Sequence, residues 1–135
     1  MTARRAPPGA KDAVPAASPT SGTVAIKAFN RIADAWRLSR SERQRLLAIS
    51  ERTADRWRDP AKADPNRDQL ERISYVLGIY AGLAAIFENA PFAVDWVRRP
   101  NTDFGEATPL ERMLAGNVGD LAYVRAYVDA WRAGW

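Results

Sequence analysis

The stretch LSRSERQRLLAISERTADRW, residues 38–57, is the clearest guide to the fold, because it contains two helix starts separated by a short turn. Ser39 is followed three residues later by Glu42, and this pair predicts a capping box in which each side chain binds the other residue's backbone N–H. Ser50 predicts a second helix start of the same kind. The two predicted helices cover residues 40–47 and 51–58.

The sequence on both sides of this stretch also has helical spacing. Apolar residues recur at intervals of three and four, and no alternating run predicts a strand. The further helices are predicted at 24–37, from 66 or 68 to 88, and at 91–98, 109–115 and 119–132. We therefore predict an all-α protein of about seven helices.

A second strong helix start lies in Thr108-Pro109-Leu110-Glu111. Thr108 and Glu111 are placed to form a capping box, and Pro109 occupies the first helical position, where its missing N–H costs nothing. This start follows a Pro-Asn turn and Gly105. It predicts a fixed corner that sets the direction of the last two helices.

The composition limits the possible chemistry. The chain has no cysteine and no histidine, which excludes disulfides, zinc ligation by these residues and the commonest general base. We predict no catalytic residues, no metal and no cofactor. The absence of cysteine fits a reducing, cytoplasmic location, and no apolar run is long enough for a membrane span.

Charge is distributed unevenly along the chain. Residues 1–67 carry 14 basic and seven acidic side chains, whereas residues 68–135 carry six and nine, within a net charge of +4. The basic front half favours a polyanionic partner, and the acidic, aromatic rear half favours a different one. Residues 1–22, rich in Pro and Ala, predict a flexible tail.

Residues 38–57 have the layout of a helix-turn-helix and resemble the Xre-like form of this motif. The match rests on the Leu-Ser entry, Glu42, the Leu46-Leu47 pair, the Ser50 cap and the Arg56-Trp57 ending. Three residues depart from the pattern. Arg43 replaces an aliphatic core residue, Gln44 replaces a small residue where the helices cross, and Ala48 replaces the usual turn glycine.

The helix-turn-helix predicts DNA binding, with the second helix in the major groove. The candidate DNA-binding residues are Arg40, Arg52, Arg56 and Arg58. The alternative is that Glu51 and Asp55 pair with these arginines on a solvated face, where each pair contributes little.

The rear third resembles the C-terminal domain of Xre/MbcA/ParS-type antitoxins. The resemblance rests on Trp96, Pro100-Asn101, Gly105, Thr108–Glu111, Gly116 and a closing helix with Arg125 and Gly134. It divides the chain into the tail 1–22, an Xre-like helix-turn-helix domain 23–82 and a toxin-binding domain 83–135. It implies an antitoxin rather than an enzyme. The implied partner is a RES-domain toxin that consumes NAD, whose active site the antitoxin covers with its C-terminal helix and tail while repressing its own operon.

Interface anchors favour Trp, Tyr and Arg, and the last helix offers several, including Tyr123. The candidate toxin-binding residues are Arg98, Arg99, Asn101, Tyr127, Trp131, Arg132 and Trp135. Core packing against Trp96 and Phe92 is the alternative for Tyr127 and Trp131. Electrostatic capping of a helix end is the alternative for the two adjacent arginines.

Several alternatives remain open at this point. The long helix from 70 to 87, with Gly78 and Gly82, is either a homodimer seam within a larger toxin–antitoxin complex or simply the central helix of the fold. The chain could be a helix-turn-helix regulator without a toxin, with a rear domain that dimerises or senses a ligand. An adaptor without DNA affinity is a further alternative.

Overall fold

The computed structural model describes residues 19–134. Within this part of the chain there are seven α-helices, three 3₁₀ turns and no strand. The α-helices are α1 (Pro19–Ala35), α2 (Arg40–Leu47), α3 (Glu51–Arg56), α4 (Arg67–Ile86), α5 (Ala90–Asp95), α6 (Pro109–Met113) and α7 (Val118–Arg132); the 3₁₀ turns are Pro60–Lys62, Trp96–Arg98 and Thr102–Phe104. The all-α prediction, with a helix-turn-helix followed by a smaller helical part, is confirmed.

The predicted capping boxes are present. Ser39 Oγ accepts the N–H of Glu42 at 3.1 Å, and the Glu42 carboxylate accepts the N–H of Ser39 at 2.9 Å. Thr108 and Glu111 make the same pair of bonds at 3.0 and 2.8 Å. These local bonds fix where α2 and α6 begin, as the sequence predicts.

Several predicted bounds shift by a few residues. Helix α1 already includes Pro19, the first described residue, so it extends into the predicted tail 1–22 and corrects that prediction for residues 19–22. Gly22 then packs so closely on Pro65 that a Cβ there would lie 3.0 Å from its Cδ. The remainder of the predicted tail, residues 1–18, lies outside the described residues. The predicted helix 91–98 divides into α5 and the 3₁₀ turn Trp96–Arg98.

Helix α4 is the centre of the fold, and α7 packs along it. A Cβ at Gly82 would lie 2.5 Å from Cγ1 of Val128, and one at Gly78 would lie 2.0 Å from the Arg125 guanidinium. Both glycines therefore allow close approach of a helix of the same chain. The central-helix interpretation is confirmed for them, and a homodimer seam through them is excluded.

One hydrophobic core spans the predicted boundary at residue 82, which lies inside α4. Arg72 of α4, only 8% exposed, joins the two sides of this boundary. It donates to Asp68, to the carbonyl of Leu46 at the end of α2 and to the carbonyl of Gly116 before α7. The helix-turn-helix and the rear helices therefore form one packed body.

Candidate functional site

Six aromatic side chains form one continuous cluster in the rear part of the chain, which we call the aromatic face. Three come from α7, where a spacing of four residues puts them on one side of the helix. The others follow α4 and α5 or lie in the turn before α6. The members are Phe87, Trp96, Phe104, Tyr123, Tyr127 and Trp131.

The rings of the aromatic face pack around Trp96 and Tyr127. These two stack with centroids 5.9 Å apart, and Phe104 meets Tyr127 edge-on at 5.0 Å. Trp131 lies 5.9 Å from Trp96 and meets Phe87 edge-on at 5.4 Å. Each such pair contributes about 0.5–1.5 kcal/mol beyond its burial. The face is therefore a fixed surface rather than a set of independent side chains.

One edge of the aromatic face is open to solvent. Tyr123 is 43% exposed, and the Arg112 guanidinium carbon lies 3.9 Å from the centre of its ring. Arg112 is held there by Asp120, whose carboxylate accepts from its Nε at 2.9 Å. Exposed aromatic rings beside an arginine are typical anchors of protein interfaces.

The hydroxyl of Tyr127 fixes the turn beside α7. It donates to Asp103 Oδ2 at 2.7 Å, while the side-chain oxygen of Asn101 accepts the Asp103 N–H at 2.9 Å. Burial is the largest cause that raises the pKa of Tyr127, and the hydrogen bond to Asp103 raises it further. Tyr127 therefore remains protonated at neutral pH, and Asn101 shapes the turn that the hydroxyl binds.

The two adjacent arginines differ in their surroundings. Arg98 donates to the carbonyls of Trp36 and Arg37, both at 2.9 Å, and to the Glu42 carboxylate at 3.1 Å. It thus joins the 3₁₀ turn after α5 to the helix-turn-helix. Arg99 is exposed, and its guanidinium carbon lies 5.2 Å from the centre of the Phe92 ring. Between residues 19 and 134, Arg99 has no ion pair, whereas the Arg98 guanidinium is fully engaged by the front helices.

The remaining candidates of the toxin-binding set lie at the end of α7. Trp131 belongs to the aromatic face, and Arg132 is exposed with no ion pair to any residue between 19 and 134. Trp135 lies outside the described residues. The structure packs Tyr127 and Trp131 against the buried Trp96, as the core-packing alternative predicts, and leaves both rings partly exposed. Asn101 binds Asp103 in the neighbouring turn, whereas Arg98 faces the front helices.

The candidate toxin-binding set omits Phe92 and four members of the aromatic face: Phe87, Trp96, Phe104 and Tyr123. Phe104 is a single aromatic residue in a polar turn, without the helical spacing of the residues on α7. The core-packing alternative treats Phe92 as part of the core, but Phe92 is 50% exposed. Its position four residues before Trp96 predicts that both side chains lie on the same side of the helix, but it does not predict how deeply Phe92 is buried.

The structure accounts for two of the three departures from the Xre-like pattern, and nothing in it explains Gln44. Ala48 adopts a left-handed conformation, with φ 56° and ψ 51°, which is the geometry that usually requires glycine. Arg43 replaces an aliphatic residue, and its side chain is mostly covered while its guanidinium pairs with Asp34 at 2.7 Å. The aliphatic stem of an arginine can fill such a position when its charge is neutralised.

The four candidate DNA-binding arginines fall into two pairs. Arg40 forms ion pairs with Glu51 and with Asp55 on α3, and Arg56 pairs with Asp64 at 3.1 Å. Arg52 and Arg58 are exposed, and neither has an ion-pair partner in the part of the chain that the structure describes. The alternative, pairing with Glu51 and Asp55, therefore holds for Arg40 alone, because the partner of Arg56 is Asp64 instead. Among the described residues, Arg52 and Arg58 carry charge without an ion pair.

Residues 19–134 contain no group of three acidic side chains that could hold a metal ion. No helix in this range is both long enough and apolar enough to cross a bilayer.

Comparisons with known proteins match the chain from front to rear. Residues 15–78 are similar to the family described as the antitoxin Xre-like helix-turn-helix domain, and residues 82–134 to the antitoxin Xre/MbcA/ParS C-terminal toxin-binding domain. The uncharacterized protein y4oB of Sinorhizobium fredii (strain NBRC 101917 / NGR234) is 42% identical over 110 residues, which cover 81% of this chain and 84% of that protein. The aromatic face lies within the second match.

Proposed function

Because the chain belongs to the Xre/MbcA/ParS-type antitoxins, we propose that it neutralises a RES-domain toxin that consumes NAD. It acts by covering the toxin's active site with α7 and the residues that follow, and it needs no catalysis of its own. The observation that carries this proposal is the aromatic face. It presents Tyr123, with Arg112 over its ring, within the segment that matches a toxin-binding domain.

A co-expression assay tests toxin neutralisation. The antitoxin is produced together with the RES-domain toxin encoded beside it, and cell growth and cellular NAD are measured. Tyr123→Glu puts a charge on the open edge of the aromatic face, and we expect it to restore growth arrest and NAD loss. Val24→Glu is the matched control, because Val24 on α1 is also an exposed apolar residue, at 60%, and we expect full neutralisation.

The other candidate residues make a graded series in the same assay. Four variants each remove one group at or near the end of α7 or beside the aromatic face: Arg99→Ala, Trp131→Ala, Arg132→Ala and deletion of Ala133–Trp135. We expect each to weaken neutralisation. If Tyr123→Glu and all four of these variants neutralise the toxin as well as the unmodified chain does, the aromatic face is not the contact surface.

We propose in addition that the chain binds its own operator through the helix-turn-helix, with Arg52 and Arg58 in contact with DNA. Neither guanidinium group has an ion pair in the described part of the chain, and Arg40 neutralises the acids of α3 that would otherwise repel phosphates. Arg56 contributes after releasing Asp64. A dimer would place two such helices on a palindromic site, so we also propose a homodimer within the toxin–antitoxin complex.

Operator binding is measured by gel shift on the DNA upstream of the gene, over a series of salt concentrations. We expect Arg52→Ala with Arg58→Ala to reduce affinity at least tenfold and to lower the salt dependence by about one unit for each phosphate that the variant no longer neutralises. Arg132→Ala, which removes an exposed charge from α7, is the control and should leave both unchanged. An unchanged affinity and slope in the double variant would contradict this assignment.

A further inference from the structure

Two shallow recesses lie beside the aromatic face and share Phe87 as a common wall. The first, of about 150 Å³, is lined by Tyr80, Ala84 and residues of α5. The second, of about 200 Å³, is lined by Phe92, Trp96 and Arg99. A cavity of about 150 Å³ with apolar walls holds one benzene ring. Each recess therefore has room for one apolar or aromatic side chain.

The two recesses carry opposite charges at their edges. Glu88 lines the first recess and Arg99 lines the second. Both side chains are exposed, and within residues 19–134 neither forms an ion pair. A charge left unpaired beside an apolar recess is available to a partner of the opposite sign. The first recess therefore has a negative charge at its edge, and the second has a positive charge.

The recesses are also continuous with the aromatic face. Phe87, their common wall, meets Trp131 edge-on at 5.4 Å, and Trp96 of the second recess lies 5.9 Å from both Tyr127 and Trp131. A protein bound across Tyr127 and Trp131 of α7 would therefore lie beside both recesses. Pockets of this kind beside an aromatic patch are where interface energy concentrates.

We propose that the two recesses form a docking site for one segment of the toxin, which inserts two apolar side chains, one on each side of Phe87. The side chain in the first recess is accompanied by a basic residue that faces Glu88. The side chain in the second is accompanied by an acidic residue that faces Arg99. The occupant is the toxin because the recesses adjoin the aromatic face, so this inference rests on the proposed function.

The recesses can be tested without the toxin, with two small probes and two-dimensional NMR of the full chain. N-acetylphenylalanine carries a ring and a carboxylate, and phenylalaninamide carries a ring and an ammonium group. We expect the first to shift the indole N–H of Trp96, and the second to shift the methyl groups of Val94 in the other recess, both with millimolar affinity. Each probe should prefer its own recess by at least threefold.

Matched variants separate the ring from the charge. Arg99→Gln should remove the preference of the acidic probe for the second recess, and Glu88→Gln should remove that of the basic probe for the first. Phe92→Ala should lower the affinity for the acidic probe at least threefold, whereas Phe92→Leu should retain most of that affinity. Absence of saturable shifts, or equal shifts by both probes at both recesses, would overturn the proposal.

The toxin itself then identifies the occupant. The double charge reversal Glu88→Lys with Arg99→Glu changes two exposed residues and should weaken toxin binding at least tenfold, measured by calorimetry with the purified toxin. Normal toxin binding by this variant contradicts the docking site alone. A failure of the unmodified chain to bind the toxin contradicts the proposed function, and with it the toxin as occupant, whereas the probe experiment still reports on the recesses themselves.

A second copy of this chain is the competing occupant. Sedimentation velocity of the unmodified chain and of Phe92→Glu distinguishes it from the toxin. We expect the same oligomeric state for both, because the recesses face the toxin. Conversion of an oligomer to a monomer by Phe92→Glu would assign the recesses to self-association and overturn the proposal.

Discussion

At the residue scale, Ala48 is one of three described residues other than glycine with a positive φ; the others are Arg37 and Glu106. The left-handed backbone of Ala48, at φ 56°, is required by the turn between α2 and α3, and the N–H groups of Ala48 and Ile49 both bond to the carbonyl of Gln44. A side chain in this conformation costs about 1–2 kcal/mol. The turn is retained because the helices on both sides of it are fixed by their caps and by the core.

Replacing Ala48 by glycine should therefore stabilise the protein. The strain is relieved, and the larger entropy of glycine in the unfolded chain offsets part of the gain. We expect the free energy of unfolding to rise by about 0.5–1 kcal/mol, measured by urea denaturation.

Ala54→Gly is the control for this substitution. Ala54 lies in α3 with a right-handed backbone, so the same change should lower the free energy of unfolding by about 1 kcal/mol. If the two substitutions had the same sign, backbone strain at Ala48 would not explain the effect.

Tyr127 gives stability a dependence on alkaline pH. Its pKa is raised from the ordinary value of 10.0 by burial and by Asp103. The hydrogen bond to Asp103 is therefore fully present below pH 10 and is lost as pH rises through the higher pKa of the folded state. We expect the free energy of unfolding to fall by about 0.5 kcal/mol over this pH range, because solvent screens part of the interaction.

The comparison of two phenylalanine variants checks this dependence. Tyr127→Phe removes the titrating group. The free energy of unfolding is measured from one pH unit below the ordinary tyrosine pKa to one unit above it, and it should decline less in this variant than in the unmodified chain. Tyr123→Phe removes a hydroxyl that makes no hydrogen bond to any described residue and should keep the decline of the unmodified chain. A steeper decline in Tyr127→Phe would contradict the assignment.

At the element scale, the contact between α4 and α7 is set by two glycines that differ in what they touch. Gly82 faces Val128, a fully buried side chain with no room to move, whereas Gly78 faces the flexible end of Arg125. Arg125 is held by Asp129, one turn further along α7, at 3.1 Å. A methyl group is therefore excluded at one position and only displaces a guanidinium at the other.

Alanine substitutions should reveal this difference. Gly82→Ala forces α7 away from α4, and we expect it to lower the free energy of unfolding by about 1–3 kcal/mol. Gly78→Ala is the matched control. The Arg125 side chain can swing aside, and the gain in helix propensity of about 1 kcal/mol offsets the cost of that movement. If Gly82→Ala and Gly78→Ala destabilised the protein equally in thermal unfolding, α7 would not pack on α4 in the way described.

At the scale of the whole molecule, the helix-turn-helix and the rear helices share one core and one helix. Arg72 and Arg98 bond across the predicted boundary, and α4 runs through it without a break. Neither half can bury its apolar surface without the other. The proposed DNA-binding and toxin-binding surfaces are therefore carried by one packed body.

The full chain should consequently unfold in one transition. We expect far-ultraviolet circular dichroism and tryptophan fluorescence to give the same midpoint in urea, as a two-state process requires. A fragment of residues 83–135 lacks most of α4 and should show no cooperative transition. Two separate midpoints in the full chain, or a folded fragment, would contradict a single core.

Local structure could be predicted from the amino-acid sequence, because caps, prolines and helical spacing act over a few residues. Ser39 with Glu42, and Thr108 with Glu111, position their helices through bonds that require no distant partner. The helix-turn-helix and the antitoxin family are likewise recognisable from the sequence, because their characteristic residues lie in short segments. Helical spacing also placed Tyr127 and Trp131 on one side of the last helix.

Which charges are free and which rings are exposed depends instead on how the helices pack. Arg98 and Arg99 are neighbours in sequence, yet one bonds to Trp36 and Glu42, more than fifty positions away, and the other faces solvent beside Phe92. Helical spacing carries no information about contacts over such distances. The two recesses beside Phe87, and the opposite charges at their edges, arise from tertiary packing alone.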